Sequence, residues 1–189
     1  MMFTSGAVMM EKIIGLLERS MVAGMTYFEI IGAHLVVQFL LMALQTAIML
    51  LVFYIFYSNP FLGDAKLVIA LLFAVEVVGI TYGFLLTEIF ETERMVSYAG
   101  IGTTLAVFTL GGIIWPIDGA HALIRSCAWA FPVAPAVQSY NSIASKGYSM
   151  SHGSVYRGFL SCLIWSALFS ALALILAKVK KQRRTSTKR

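Results

Sequence analysis

The chain has 189 residues, of which 59% are hydrophobic and 12% are charged, and its formal net charge is +5. Soluble domains are about 45–50% apolar and about 25% charged, so this composition excludes an ordinary water-soluble protein and indicates that the lipid bilayer is a partner. Half of the basic residues, seven of fourteen, lie in the tail 178–189. The positive charge is therefore a terminal feature, and we predict no nucleic-acid partner.

Residues 8–28 predict an amphipathic interfacial helix near the N-terminus. Apolar side chains recur there at spacings of three and four residues, while charged side chains occupy the other faces, which is the period of a helix with one apolar side. The apolar positions are Met10, Ile13, Ile14, Leu17, Met21 and Met25. Because charged residues interrupt the apolar ones, we expect this segment to lie on the membrane or on a partner and not to be a signal peptide.

Four apolar stretches are long enough to cross a hydrocarbon core of about 30 Å, which takes about 20 helical residues. They are residues 30–57, 67–86, 95–115 and 159–177. The sequence therefore predicts an all-α membrane protein with four transmembrane helices. Ten basic residues lie on the side of the two termini and four on the other side, which predicts that both termini are cytosolic.

The segment 116–158 is too long for a tight turn and too apolar for free solution. Trp129, Phe131 and Val137 would be poorly placed in water. Short helices that dip back into the outer membrane face and pack against protein would accommodate them. We therefore predict re-entrant outer helices before the last span, followed by the basic cytosolic tail 178–189, which contacts anionic lipid head groups.

Glu76 is the main candidate for chemistry within the membrane. It lies in the middle of the second predicted span, where a charged side chain costs about 2.5–3.5 kcal/mol. Gln38 and Gln45 lie in the first span, and we expect Gln45 at the depth of Glu76. Three interpretations stay open: a structural hydrogen bond between glutamine and Glu76, a polar part of a substrate path, and proton coupling.

Glycines in the second span indicate close helix packing. Gly79 and Gly83 form a Gly-x-x-x-Gly pair, a spacing that lets the backbones of two membrane helices approach each other. We predict packing at these positions, with a moving hinge as the alternative.

The sequence carries no enzyme signature. It contains no Gly-x-x-x-x-Gly-Lys-Ser/Thr loop, no His-Glu-x-x-His and no Gly-x-Ser-x-Gly, the patterns that mark nucleotide-binding, zinc-hydrolase and serine-hydrolase sites. His34, His121 and His152 are scattered, and neither Cys127 nor Cys162 has a neighbour at zinc-ligand spacing. We predict no catalytic residue and no metal site in this chain.

Three stretches carry a resemblance to a known family. They are LLERSMVAGMTYFEIIGAH, EIFETERMVSYAG and GGIIWPIDGAHALIRSCAWAFPVAPAVQSYNSIASKGY. With the order of the predicted elements, they resemble the C-terminal part of ABC-2 type membrane domains of ABC transporters. The amino-acid sequence of these stretches is similar to that of the G and H subfamilies, and most similar to that of the arthropod H subfamily. The GIIWPIDG stretch is more specific than the matches of the spans.

The resemblance implies the transmembrane part of an ATP-driven exporter in the plasma membrane, which moves lipids or hydrophobic small molecules by alternating access. It implies that ATP and Mg²⁺ are bound by a nucleotide-binding domain that, like two earlier spans, lies outside this sequence. It also implies a second half-transporter, identical or different, as a partner.

The resemblance also assigns roles to residues. Glu18, Arg19 and Gly24 would couple the amphipathic helix to the nucleotide-binding domain. The outer loop or gate would include Trp115, Pro116 and Gly119. Two other functions stay open: a self-contained four-span membrane scaffold, and a channel or secondary transporter that uses the glutamate of the second span.

Overall fold

A computed structural model describes residues 22, 24, 27–56, 62–113, 119 and 121–186, and all of their regular structure is helical. The helices are α1 (Tyr27–Leu50) with a π-helical extension (Leu51–Phe56), α2 (Ala65–Ile89), α3 (Glu93–Leu110), α4 (Ala122–Ala130), α5 (Val133–Ala144) and α6 (Gly153–Ser186). The predicted all-helical class is confirmed for this part of the chain.

Three helices in the described part of the chain are long and apolar enough to cross a membrane. The spanning segments are Val36–Phe56, Ala65–Ile89 and Gly153–Lys180. They coincide with the first, second and fourth predicted spans. The predicted third span, 95–115, is occupied by α3, which has 18 residues and begins with Glu93 and Arg94. With this polar first turn, α3 is not among the candidate spans of the described residues, so the fourth transmembrane helix stays a prediction.

The ends of α2 and α3 follow from local chemistry. Asp64 precedes α2 in an extended conformation, and its side chain accepts a hydrogen bond from Lys66 N at 2.9 Å, which satisfies one of the unpaired N–H groups of the first turn. Phe90 ends α2, also extended. Gly112, with φ of +74°, follows α3, because a left-handed residue after a helix is best supplied by glycine.

Helices α2, α5 and α6 form the packed centre of the described structure, here called the frame. The contact between α2 and α6 is the most extensive, and α5 packs against both. Their fully buried residues include Val68, Leu71, Ile143 and Val155. A second cluster along the same helices holds Val78, Ala136 and Cys162. The frame therefore carries most of the core.

Helices α5 and α6 approach each other at Gly158. Its N–H donates to Ser139 Oγ at 3.1 Å, and the same oxygen lies 2.8 Å from Ser154 O and 3.0 Å from Val155 O. A Cβ on Gly158 would stand 2.8 Å from Ser139 Cβ and 2.9 Å from Pro135 O, closer than real Cβ atoms come. The small residue and the buried hydroxyl thus set the distance between the two helices.

The turn before α2 contacts the end of α5 through backbone atoms. Leu62 N donates to Ala144 O at 3.0 Å, and a Cβ on Gly63 would lie 2.9 Å from the Ile143 carbonyl carbon. Gly147, with φ of +66°, returns the chain beneath this turn. The backbone contacts hold α2 and α5 together at this end of the frame.

Helices α1 and α3 flank the frame and contact it mainly through α2. Much of α1 stays exposed, including Phe39, Leu40 and Leu44, with 60%, 62% and 57% of their surfaces accessible. Such apolar faces are suited to lipid or to another membrane helix. One polar contact reaches across from the π-helical extension, where Tyr54 Oη lies 3.0 Å from Tyr140 Oη of α5.

Helix α6 is longer than the predicted span 159–177. It has 34 residues and continues to Ser186, through most of the basic tail. Lys, Arg and Gln are good helix formers, so nothing in the tail ends the helix where the apolar run ends.

Candidate functional site

A cavity of about 400 Å³ lies between α2, α3, α6 and the junction of α4 with α5. Its volume falls in the range of about 300–1,000 Å³ that is usual for small-molecule sites. The frame supplies one wall, which includes Val78, Gly79, Tyr82, Cys162 and Phe169. The cavity therefore borders two of the three candidate spans.

Helix α3 supplies the opposite wall of the cavity, from Thr103 to Leu110. Thr103 Oγ1 donates to Ala99 O at 2.8 Å, and Thr104 Oγ1 donates to Gly100 O at 2.7 Å. These hydroxyls bond to carbonyls of their own helix, as threonines in membrane helices commonly do. They offer no unpaired donor hydrogen to a ligand, so this wall is chemically close to hydrocarbon.

The junction of α4 with α5 closes one end of the cavity. Phe131, Pro132 and Val133 line it there beside Gly111. A Cβ on Gly111 would lie 2.8 Å from Val133 Cγ1, so the end of α3 touches the start of α5. The other end of α3 packs through Val96 against the end of α2.

A row of four aromatic side chains runs beside the cavity. The ring centroids of Phe131 and Trp165 are 6.3 Å apart with nearly parallel planes, and those of Trp165 and Phe169 are 5.1 Å apart. Tyr82 continues the row at 5.1 Å from Phe169. These distances are typical of favourable aromatic pairs. The row joins α2, α6 and the α4–α5 junction.

The cavity exists because α3 is attached at its two ends and separated from the frame between them. The buried residues of α3 are Val96 and Gly100, near its start, and Gly111 contacts α5 just after its end. Between these attachments, Thr103, Thr104, Ala106, Val107 and Leu110 border the cavity.

Glu76 lies on the other side of α2, towards α1, and does not border the cavity. Its Oε1 accepts a hydrogen bond from Thr46 Oγ1 at 3.4 Å, and its Oε2 is buried with no hydrogen-bond partner among the described residues. The donor is Thr46, which is buried, whereas Gln45, one of the two glutamines considered for a structural hydrogen bond, is exposed. Adjacent residues lie about 100° apart around a helix, so the two side chains face different sides of α1.

The other intramembrane residues singled out from the sequence are spread over the frame and its flank. Gln38 is half-buried on α1 and does not border the cavity. Gly83 is buried on α2. Gly79, expected at a close helix contact, borders the cavity, where the missing side chain leaves space.

The predicted coupling and gate residues are not brought together by the described structure. Glu18, Arg19, Trp115 and Pro116 lie outside the described residues. Gly24 has φ of +92° and Gly119 is exposed, and a Cβ on either would meet nothing within 4 Å. Their roles stay predictions.

Sequence reasoning missed the cavity wall on α6. The lining residues Cys162 and Phe169 are seven residues apart, with Trp165 of the aromatic row between them. Spacings of three and four residues place all three on one helix face, and this was the available signal. Phe131 had been noted only as poorly placed in water. Among the described residues, no group of three His, Cys, Asp or Glu side chains stands close enough to hold a metal ion.

Comparison with known proteins agrees with the helical pattern. Residues 1–144 match the family described as ABC-2 type transporter. Over 183 residues the chain is 24% identical to a protein of Dictyostelium discoideum named ABC transporter G family member 20, and the match covers 95% of this chain and 24% of that protein. The chain thus spans about a quarter of the length of this relative. No solved structure matches. Because the family match extends over most of the chain and coincides with apolar spanning helices, the chain belongs to the ABC-2 type transporter family.

Proposed function

We propose that this chain is the transmembrane part of an ATP-driven exporter that moves lipids or hydrophobic small molecules across the plasma membrane. The observation that carries the proposal is the match to the ABC-2 type family over residues 1–144, in a chain with three apolar spans. The apolar lining of the cavity beside α3 supports an apolar cargo, since a charged molecule would lose its hydration there without gaining partners.

The energy comes from a nucleotide-binding domain outside these 189 residues. The sequence has no phosphate-binding loop of the Gly-x-x-x-x-Gly-Lys-Ser/Thr kind, so the contacts to ATP and Mg²⁺ belong to that domain. Glu18, Arg19 and Gly24 receive its motion at the cytosolic face. The relative in Dictyostelium discoideum, which bears the name of an ABC transporter and is about four times as long, supports this division.

Transport follows by alternating access between this chain and a second half-transporter, identical or different, with both termini in the cytosol. The frame moves as a unit, because its helices share a continuous core and the Ser139–Gly158 contact. Helix α3 is held at its ends only, so it is the helix whose middle is displaced at the least cost in packing.

A channel or secondary transporter that uses Glu76 is the less favoured function. Glu76 does not border the cavity, and one of its carboxyl oxygens accepts a hydrogen bond from Thr46. That placement favours a structural contact between α1 and α2. The scaffold alternative predicts no transport at all, so one experiment separates the three.

The test uses the full-length protein that contains this chain, together with its nucleotide-binding domain, in liposomes with ATP and Mg²⁺. Movement of a fluorescent phospholipid and of a lipophilic dye is followed with ATP and with ADP. We expect ATP-dependent movement of at least one probe. Glu18→Ala and Arg19→Ala should lower transport by roughly fivefold or more while ATP hydrolysis continues, since they act on the coupling between two sites.

Lys12→Ala, in the same predicted helix, is the matched control and should leave transport unchanged. Folded protein that hydrolyses ATP but moves neither probe would overturn the exporter. Movement driven by a pH gradient without ATP, and lost in Glu76→Gln, would establish the secondary transporter instead.

A further inference from the structure

We infer that the cavity beside α3 is a binding site for one acyl chain of a bilayer phospholipid, formed within a single copy of this chain. The site differs from a transport path between two halves, because its described lining comes from α2, α3, α6 and the α4–α5 junction of one molecule. Binding there does not require transport or ATP.

The lining selects an uncharged hydrocarbon. Among the described residues, no Asp, Glu, Lys, Arg or His borders the cavity. Among its polar side chains, Thr103 and Thr104 donate to carbonyls of α3, which leaves Tyr82 and Cys162 as the remaining polar groups. A head group or a charged molecule would be stripped of water without receiving hydrogen bonds in return.

The size of the cavity favours an apolar occupant. A volume of about 400 Å³ is many times the roughly 30 Å³ that one water takes. Apolar cavities much smaller than this stay dry and bind apolar molecules. The walls of an empty cavity have no atoms opposite them and forfeit dispersion contacts, and hydrocarbon from the neighbouring bilayer restores those contacts.

The shape of the cavity favours an acyl chain. Its lining extends from Val75 to Tyr82 on α2 and from Cys162 to Phe169 on α6, seven helical steps in each case, or about 10 Å along each helix at about 1.5 Å per step. On α3 it extends over a similar length. The cavity is therefore elongated along the helices, the direction in which lipid tails lie beside transmembrane helices.

The cavity is accessible from the surroundings of the helices. Ala106 of α3 is exposed, and Phe131 has 44% of its surface accessible, yet both line the cavity. The cavity therefore opens to its surroundings beside Ala106 and Phe131, so a tail enters there while its head group stays outside.

The experiment maps the occupant by cross-linking. The full-length protein is placed in phosphatidylcholine nanodiscs that contain a phosphatidylcholine with a diazirine on one acyl chain, without ATP, and is irradiated. Cross-linked residues are located by mass spectrometry. We expect cavity adducts on Thr103, Ala106, Val107 and Leu110 of α3 and on Cys162 and Phe169 of α6. Adducts on the exposed apolar face of α1 serve as the internal reference.

Two phenylalanine variants of α3 form the matched pair. Val107→Phe fills the cavity, whereas Leu105→Phe adds a ring two residues away on a side chain that is 62% exposed and does not line it. Cavity adducts should fall by at least roughly fivefold in Val107→Phe, because the ring takes the space of the tail. They should stay unchanged in Leu105→Phe, and α1 adducts should stay unchanged in both.

Equal cavity labelling in the two variants, or adducts confined to α1 and other outward faces, would overturn the inference. Should Val107→Phe fail to fold, Ala106→Phe replaces it, and the adduct positions of the unaltered protein decide in any case. A diazirine-bearing free fatty acid, used in place of the phospholipid, distinguishes the source. Labelling by the fatty acid alone would reject the phospholipid.

Failure here and failure of the exporter are separable. ATP-dependent transport with no cavity adducts would reject the acyl-chain site and leave the exporter standing. Cavity adducts that disappear in Val107→Phe, in a protein without ATP-driven transport, would support the site and reject the exporter.

Discussion

The frame and the helices that flank it are built in different ways. In the frame, α5 and α6 approach each other at Gly158, and buried side chains from α2, α5 and α6 form a continuous core. On the flanks, α1 meets α2 through few contacts, and α3 is attached at its ends around a cavity of about 400 Å³. The flanking helices rely on local attachments, while the frame relies on continuous packing.

This difference separates stability from adaptability within one small membrane domain. Close packing transmits any change in side-chain volume to the neighbouring residues. The frame should therefore tolerate few changes in side-chain volume. A helix that borders a cavity accepts added volume in its middle but depends on its attachments. Substitutions of the same kind in the two regions should therefore have unequal effects.

The largest effect is expected for Gly158→Leu in the frame. The added side chain would collide with Ser139 and with Pro135 O, and overpacking of this kind costs about 3 kcal/mol. Gly102→Leu on α3 is the matched control, because a Cβ there meets nothing within 4 Å. The midpoint of thermal unfolding in detergent measures both. Similar midpoints for the two variants would contradict the proposed difference in packing between the frame and the flanking helices.

A smaller loss is expected for Gly63→Ala at the end of the frame. The new Cβ would press on the backbone of Ile143, which cannot rotate away as a side chain would, at a cost of about 2 kcal/mol. Gly119→Ala is the control, since a Cβ there meets no atom within 4 Å. Chemical denaturation in mixed micelles reports the difference. An unaffected Gly63→Ala would show that the turn before α2 is not fastened to α5.

A still smaller loss of stability is expected when the contact between α1 and α2 is disturbed. Thr46→Val removes the donor to Glu76 and leaves a buried carboxyl group without its hydrogen bond, which costs about 1.5 kcal/mol. Thr109→Val is the control, because that hydroxyl bonds only to carbonyls of its own helix. Glu76→Gln keeps an acceptor and should retain both stability and transport. Lost transport in folded Glu76→Gln protein would instead indicate a role in the path or in proton coupling.

The smallest effect is expected at the contact between the π-helical extension and α5. Tyr54→Phe removes the hydrogen bond to Tyr140, which is worth about 0.5 kcal/mol. Tyr140→Phe should cost the same, and the double variant should cost no more than either single one. The unfolding midpoints of the unaltered protein, the two single variants and the double variant form a double-mutant cycle. Additive losses would mean that the two hydroxyls act independently.

Local signals in the sequence were sufficient for the helices. The predicted spans 30–57, 67–86 and 159–177 overlap the candidate spanning segments of the described structure, because the length of an apolar run depends only on neighbouring residues. The polar start of α3 is also visible in the sequence, since Glu93 and Arg94 occupy its first turn. Helix α6 extends beyond the apolar run 159–177, because a span is predicted from hydropathy whereas the helix continues through basic residues that favour it.

Contacts between helices could not be predicted from the sequence. The partner of Glu76 is Thr46 and not Gln45, and only the rotation of α1 about its axis decides between two neighbouring residues. The cavity is still harder to predict, since its lining comes from α2, α3, α6 and the α4–α5 junction. It depends on how far α3 stands from the frame, and that distance is set by contacts at the two ends of α3.

The length of α6 has a mechanical consequence. Its 34 residues extend about 51 Å at about 1.5 Å per residue, which exceeds a hydrocarbon core of about 30 Å by some 20 Å. The start of the basic segment thus continues the same rigid helix. Lys178 and Lys180 are separated by about 200° around the helix axis, so we expect them to attract anionic head groups on two sides of the helix. Such contacts would oppose displacement of α6 along its own axis and fix its depth in the bilayer.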